Sequence, residues 1–216
     1  MKYINESVEG YRGMNIPYTL YGKSDNSNDL LILLPGAGYT VNSPIFHYST
    51  GIFLNQSKDI LEVNYPYNHE FYNGFSLEEL YKAVKNDSRI VIDTVLKNNA
   101  YNNFYIIGKS IGTIAMSSEL NRDVFKNAKT IWLTPLLKLD EVFESIINSR
   151  NKGLCIIGDN DRNYTEELFS QIGKNENITF KLIPGANHSL DNEDAMKSID
   201  NLKSIMIDIE RFLSND

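Results

Sequence analysis

The sequence predicts a doubly wound α/β fold, in which helices cover both faces of a mostly parallel sheet. Short runs of β-branched and aromatic residues recur along the chain between turn residues, as strands do. Most of these runs are continuously apolar, which is typical of parallel strands buried on both faces. Helical patterns lie between them, and this alternation indicates the fold class. The predicted strands are IPYTLYG (16–22), DLLILLPG (29–36), DILEVNYP (59–66), NFYIIGKS (103–110), TIWLTP (130–135), GLCIIGD (153–159) and ITFKLIPG (178–185).

The helices are predicted from their start signals and from the spacing of their apolar residues. Ser43 before Pro44 indicates one helix start, and Ser76 with Glu79 has the spacing of a capping box. The predicted helical segments are 42–56, 76–99, 111–120, 136–152, 164–173 and 193–213. Residues at three- and four-residue steps predict the buried face of the last helix: Met196, Ile199, Leu202, Met206, Ile209 and Leu213.

The chain is predicted to form a single domain over residues 1–216, because no repeat, low-complexity tract or long linker divides it. The polar stretch SDNSND (24–29) is predicted to be a hairpin or connecting loop. A net charge of −7 leaves no broad basic face, so nucleic acid is not expected as a partner. The single cysteine, Cys155, lies in an apolar run and is expected to be a buried, inert thiol.

The sequence also predicts a soluble cytoplasmic protein without a membrane partner. One cysteine cannot form an internal disulfide, which fits a reducing compartment. The first residues lack the apolar segment of a signal peptide, and no stretch approaches the ~20 apolar residues of a membrane span. The sequence does not indicate the oligomeric state.

The stretch GKSIG places Ser110 between a predicted strand and a predicted helix. A G-x-S-x-G motif at such a junction is typical of a nucleophile on a sharp turn, where Gly108 and Gly112 avoid collisions. The turn would also leave the amide of Ile111 at the helix N-terminus, where developing negative charge is favoured. A serine that merely caps the helix is the alternative, but the strand and helix favour the nucleophile.

A serine nucleophile needs a base, and the chain has three histidines. His47 and His69 precede Ser110 and are expected to be surface or partly packed residues. His188 follows the predicted strand ITFKLIPG, at the carboxyl edge of the sheet, where reacting groups gather in this fold class. His188 is therefore the predicted base.

The acid that would orient His188 is predicted in the segment GDND, after the preceding strand. Asp161 is preferred, because the loop must reach across before its carboxylate points back. Asp159 is the alternative in the same loop. Asp140, after the strand TIWLTP, is a third, less favoured candidate. A polar turn that only caps the next helix is the structural alternative.

Backbone amides are the predicted donors to an oxyanion. The loop LPGAG lets the backbone approach a ligand closely, and the amide of Ala37 is the predicted partner of the Ile111 amide. Gly38 and Tyr39 are alternatives for this second donor. The loop lacks the spacing of a phosphate-binding motif. One cysteine and three scattered histidines do not form a zinc site, so no metal or organic cofactor is expected.

The order LPGAG, GKSIG, GDND and GANHS resembles that of the α/β-hydrolase superfamily over almost the whole chain. The chain departs from the family's pattern at Pro35, where histidine is common. Residues 136–152 leave room for one helix between two strands, so the resemblance implies a small esterase without a lid. Gly38, Tyr39, Trp132 and Leu136 are then expected to border the acyl group, although Trp132 could equally be core. Lys109 is expected to face solvent or pair with an acid.

The leading hypothesis is a serine hydrolase that cleaves a small ester, thioester or amide through an acyl-enzyme. A catalytically silent protein that binds a small ligand on the same scaffold is a second hypothesis. The complete set of serine, histidine and aspartate argues against it, since a silent protein has no physical reason to keep all three. An acyltransferase would use the same residues and exclude water.

Overall fold

The computed structural model describes residues 2–24 and 27–214, and these contain eight strands and six α-helices. The strands are β1 (Lys2–Glu9), β2 (Asn15–Gly22), β3 (Asp29–Leu34), β4 (Asp59–Val63), β5 (Asn103–Lys109), β6 (Lys129–Leu133), β7 (Gly153–Gly158) and β8 (Ile178–Ile183). The helices are α1 (Pro44–Asn55), α2 (Leu77–Asn98), α3 (Gly112–Glu119), α4 (Asp140–Ile147), α5 (Glu166–Ile172) and α6 (Ala195–Ser214).

The strands form one sheet in the order β1-β2-β4-β3-β5-β6-β7-β8. β1 pairs antiparallel with β2, and β2 pairs antiparallel with β4. The remaining neighbours, from β4 to β8, are parallel. The carboxyl ends of these six strands therefore meet at one edge of the sheet, and the loops that follow them share that edge.

Helices cover both faces of the sheet, as the sequence predicts. On one face, α1 and α6 pack through residues such as Phe46, Phe53 and Ile209. On the other face, helices α2 to α5 bury a second cluster that includes Val91 and Ile114. The mostly parallel sheet between two helical layers confirms the predicted fold class.

The start of α2 follows the local signal in the sequence. The Ser76 side chain accepts a hydrogen bond from the Glu79 amide at 3.2 Å, which satisfies one free donor of the first turn. Ser43 precedes α1 without such a bond, and Pro44 occupies the first turn. Proline fits there because the first helical amides have no partner within the helix.

The structure departs from the sequence prediction at both ends of the chain. β1 is an additional edge strand, and its sequence KYINESVE is polar and largely exposed. In α6 the side chains of Met196 and Ile199 are exposed, because the helix contacts the core only from Leu202 onward. The predicted loop 24–29 joins β2 to β3, and residues 25–26 of it lie outside the described residues.

The sheet has a topological switch point, where the strand order reverses direction around β3. β4 and β5 lie on opposite sides of β3, so the loops after β3 and β5 diverge at the carboxyl edge. In open α/β sheets, such a point is where ligands bind. Among the described residues, no helix combines the length and the apolar character that crossing a membrane requires.

Candidate active site

Ser110 lies on the sharp turn between β5 and α3, with a backbone φ of 53°. This left-handed conformation is uncommon for a residue with a side chain and persists only where the surroundings enforce it. The Ser110 amide donates to the Leu133 carbonyl at 3.1 Å, and its carbonyl accepts from the Thr113 amide at 2.9 Å. Both sides of the turn are therefore fixed, and the Ser110 side chain is held at the edge of the sheet.

The glycines on either side of Ser110 allow the chain to turn this tightly. A methyl group on Gly112 would lie 2.0 Å from the Leu34 carbonyl oxygen, because α3 begins directly against the end of β3. A methyl group on Gly108 would lie 3.0 Å from the Met116 sulfur atom. The first approach is to the backbone and cannot relax easily, so Gly112 is sterically required.

His188 reaches Ser110 from the loop that follows β8. Its Nε2 atom lies 2.8 Å from Ser110 Oγ, and its Nδ1 atom lies 2.7 Å from Asp161 Oδ2. The loop is shaped by the Asn187 side chain, whose oxygen accepts from the Ser189 amide at 2.7 Å. The structure thus brings together three residues that are up to 78 positions apart in the sequence.

Asp161 determines which nitrogen of His188 carries the proton. Burial of Asp161, whose exposed fraction is 3%, disfavours its charged form, but hydrogen bonds from His188 and Asn163 outweigh this and lower its pKa. An ionised carboxylate only accepts hydrogen bonds, so Nδ1 of His188 is the donor. Nε2 is then the acceptor, and it faces the Ser110 hydroxyl.

The two alternative acids have other places in the structure. Asp159 Oδ1 accepts a hydrogen bond from the Gly185 amide at 2.6 Å and stabilises the turn after β8. Asp140 is exposed at the first turn of α4. Of the three candidates, Asp161 is the one whose carboxylate contacts His188.

Within the described ranges 2–24 and 27–214, the Ile111 amide has no hydrogen-bond partner, and neither do the amides of Ala37, Gly38 and Tyr39 in the loop after β3. Ile111 directly precedes α3, where the helix dipole favours negative charge. Ala37 is exposed in the loop after β3, next to Gly36. A methyl group on Gly36 would lie 3.4 Å from Ser110 Cβ, so this loop lies against the turn that holds Ser110. The Ile111 amide thus remains one predicted donor to an oxyanion, and Ala37, Gly38 and Tyr39 all remain candidates for the second.

The residues predicted to border an acyl group fall in different places. Gly38 is exposed, and Tyr39 is half-buried in the same loop. Leu136 is half-buried after β6. Of the two alternatives for Trp132, pocket or core, the structure shows the core: its side chain is fully buried, and its indole N–H donates to Thr130 Oγ1 at 3.1 Å. Trp132 lies one residue below the end of β6 and faces the helices, so it cannot line an open pocket.

The other two histidines lie outside this arrangement. His47 is exposed on α1 beside Tyr48, and exposed His69 accepts from the Phe71 amide at 3.1 Å. In the part of the chain that the structure describes, no group of three or more His, Cys, Asp or Glu side chains could hold a metal ion. Cys155 is buried, and burial raises the pKa of its thiol to about 12.

Solved structures with this fold are numerous. A protein of unknown function from Agrobacterium tumefaciens, provisionally described as an α/β-hydrolase, superposes with a TM-score of 0.74. It is 20% identical, and the match covers 98% of this chain and 95% of that one. The chain has the α/β-hydrolase fold. An α/β serine hydrolase without a lid from Xanthomonas campestris is 12% identical, with a TM-score of 0.71 over 99% of this chain and 94% of that one.

A Pyrococcus furiosus esterase is another structural neighbour of this α/β-hydrolase fold. It is 13% identical, with a TM-score of 0.70 over 99% of this chain and 90% of that one. No protein-family model and no curated protein sequence matches the chain.

This chain has no lid domain between β6 and β7. Residues 134–152 contain α4 alone. The His188 side chain keeps an exposed fraction of 29%, and Ser110 is half-buried. Solvent can therefore reach both side chains.

The prediction for the Lys109 side chain is wrong. It neither faces solvent nor pairs with an acid: its exposed fraction is 1%, and its Nζ atom donates to Thr134 Oγ1 and to the His188 carbonyl, each at 2.7 Å. The sequence feature that indicates burial of Lys109 is its position at the end of a central strand. A residue there is covered by helices or loops on both faces of the sheet.

Proposed function

We propose that this protein is a serine hydrolase that cleaves small ester-type substrates (esters, thioesters or small amides) through an acyl-enzyme. The observation that carries the proposal is the continuous hydrogen-bonded chain from Asp161 through His188 to Ser110, at 2.7 and 2.8 Å. These distances lie within the reach that proton transfer between nucleophile and base requires. Two structural neighbours, which are described as a serine hydrolase and an esterase, support the same reaction class.

The geometry supports the following sequence of steps. His188 Nε2 accepts the Ser110 proton as Oγ attacks the substrate carbonyl carbon. Asp161 stabilises the imidazolium that forms. His188 then gives the proton to the leaving group, and the acyl group remains on Ser110. In the second half, water attacks the acyl carbon, His188 takes its proton, and the acid is released as Ser110 regains its hydrogen.

The developing oxyanion would be held by the amides of Ile111 and Ala37. Each donor of this kind stabilises a transition state by about 2.7 to 4 kcal/mol, because it is fixed before the reaction begins. The start of α3 adds the positive end of the helix dipole behind the Ile111 amide.

Exposure of the site favours hydrolysis over acyl transfer to another molecule. An acyltransferase must keep water from its acyl-enzyme. Here Ser110 and His188 are both partly exposed, and the loop of Ala37 and Gly38 lies open to solvent. A silent binding protein is disfavoured, because the strained conformation of Ser110 would then have no use.

A fluorophosphonate probe tests this proposal, since it labels a serine only where a base activates the hydroxyl. Ser110 Oγ should attack the phosphorus atom and release fluoride, and peptide mass spectrometry should locate one label, on Ser110. The variants Ser110→Ala and His188→Ala should carry none. His47→Ala should label like the wild type, because His47 lies on α1 and outside the site. Absence of labelling at every pH between about 6 and 9 would overturn the proposal.

A further inference from the structure

Lys109 lies directly beneath the loop that carries His188. It is the last residue of β5, next to Ser110, and its side chain is almost completely buried. The catalytic steps proposed above do not use it. Burying a lysine costs free energy, because the ammonium loses hydration and the side chain loses conformational entropy. The contacts of Lys109 must offset this cost.

The Lys109 ammonium contacts three different loops through two hydrogen bonds and one aromatic ring. Thr134 Oγ1, after β6, and the His188 carbonyl, after β8, each accept at 2.7 Å. The ring of Tyr39, after β3, has its centroid 4.6 Å from Nζ, within the range of a cation–π contact. Two of the three ammonium donors are therefore hydrogen-bonded, and the charge lies over the Tyr39 ring. Lys109 thereby connects three loops at the carboxyl edge of the sheet.

Backbone strain is concentrated around the same side chain. Five non-glycine residues in the described ranges have a positive φ, and three of them are Ser110, Thr134 and Leu190. Ser110 is the neighbour of Lys109 in sequence, Thr134 is its hydrogen-bond partner, and Leu190 lies two residues beyond His188. Such conformations persist only where surrounding contacts enforce them.

The charge of Lys109 is not neutralised by a direct ion pair. Burial lowers the pKa of Lys109 to about 8, although the carboxylates of Asp161 and Asp191 nearby oppose this. The other titratable groups at this place are the Tyr39 phenol and the His188 imidazole. The pKa of Tyr39 is raised to about 12 by burial, so the phenol stays neutral. Lys109 is therefore a charged donor at neutral pH and a neutral one in mild alkali.

We propose that Lys109 is a positioning residue, which holds the His188 main chain against Thr134 so that the imidazole stays between Ser110 and Asp161. This inference rests on the proposed hydrolase function. A charged donor forms a stronger hydrogen bond to a carbonyl than a neutral one does. Because Nδ1 and Nε2 must both keep bonding distance, a small shift of the His188 backbone would separate the base from its nucleophile.

Lys109→Met tests this role, because methionine fills a similar volume without donating a hydrogen bond. We expect kcat for a p-nitrophenyl ester to fall about tenfold to a hundredfold, since a displacement of ~1 Å has effects of that size. KM should stay nearly constant, because Lys109 is covered by the His188 loop and does not reach the substrate. A kcat for Lys109→Met equal to that of the wild type would overturn the proposal.

Lys58 provides a matched control at the opposite edge of the sheet. It is also buried, with an exposed fraction of 8%, donates to Asp29 at 2.8 Å and lies 4.4 Å from the centre of the Tyr105 ring. Lys58→Met should lower the midpoint of urea unfolding more than Lys109→Met does, because it leaves a partly buried carboxylate unpaired. Its kcat should stay within about twofold of the wild type. Equal losses of kcat in both variants would show a general effect of stability and overturn the proposal.

The pH dependence of kcat distinguishes the positioning role of Lys109 from a purely structural one. Above about pH 8, where Lys109 loses its charge, kcat of the wild type should fall to a lower plateau, because the neutral amine still donates two weaker hydrogen bonds. Lys109→Met should show no such step. A step of the same size in both proteins would contradict the role of Lys109.

Thr134→Val keeps the test decisive if Lys109→Met does not fold. Valine removes the Oγ1 acceptor but keeps the branched shape, so kcat should fall with little change in KM. A wild-type protein that neither turns over esters nor reacts with fluorophosphonate would defeat the hydrolase proposal itself. An active wild type with an equally active Thr134→Val would defeat only the positioning role.

Discussion

His188→Ala should lower kcat for p-nitrophenyl acetate hydrolysis by about 10⁴- to 10⁶-fold. Without the imidazole, the Ser110 hydroxyl has no base at 2.8 Å and remains a weak nucleophile at neutral pH. The fold should persist, because the His188 side chain is partly exposed and the contact of its carbonyl to Lys109 uses the main chain. Steady-state kinetics with burst-corrected enzyme concentration would measure the loss.

The other histidines supply the controls for this prediction. His47→Ala and His69→Ala change exposed side chains away from the site, and kcat should stay within about twofold of the wild type. If His188→Ala retained most of its activity while either control lost it, the base would be misassigned.

Asp161→Asn should lower kcat by about 10⁴-fold while leaving the backbone in place. The asparagine amide can donate to Nδ1, so His188 can carry its proton on Nε2 instead. That nitrogen would then face Ser110 Oγ as a donor and could not accept its proton. The variant thus tests the tautomer that the 2.7 Å contact to Asp161 fixes.

Asp159→Asn is the matched control in the same loop. Asp159 accepts a hydrogen bond from the Gly185 amide, and an asparagine oxygen can accept the same bond. Its kcat should stay within about threefold of the wild type, since surface changes of this kind have small effects. A large loss in Asp159→Asn with little loss in Asp161→Asn would assign the acid to Asp159.

The sequence predicted the parts of the fold and site that depend on local pattern. The parallel strands are continuous apolar runs, and Ser110 with Gly112 has the spacing of a sharp turn between a strand and a helix. β1 was not predicted because KYINESVE is mostly polar, with Ile4 and Val8 as the only aliphatic residues on its inner face, as an edge strand allows. Met196 continues the apolar spacing of α6 beyond the part that packs on the sheet.

Residues whose role depends on the direction of a side chain could not be placed from sequence. Asp159 and Asp161 lie in one loop, and only the path of the backbone shows which of them faces His188. For Trp132 the sequence left pocket and core as alternatives, because a position near the end of a strand does not show which face a side chain occupies. Lys109 was missed because a charged residue is usually exposed, whereas here three loops cover it.

Trapping the acyl-enzyme tests most directly whether Ser110 is a nucleophile activated by His188. Wild-type protein mixed with p-nitrophenyl acetate and quenched in acid within the first turnover should carry one acetyl group, on the peptide that contains Ser110. Release of p-nitrophenol should show a burst of about one equivalent per protein molecule, as acyl-enzyme chemistry requires. An acetyl group on another residue, or undiminished turnover by Ser110→Ala, would contradict the mechanism.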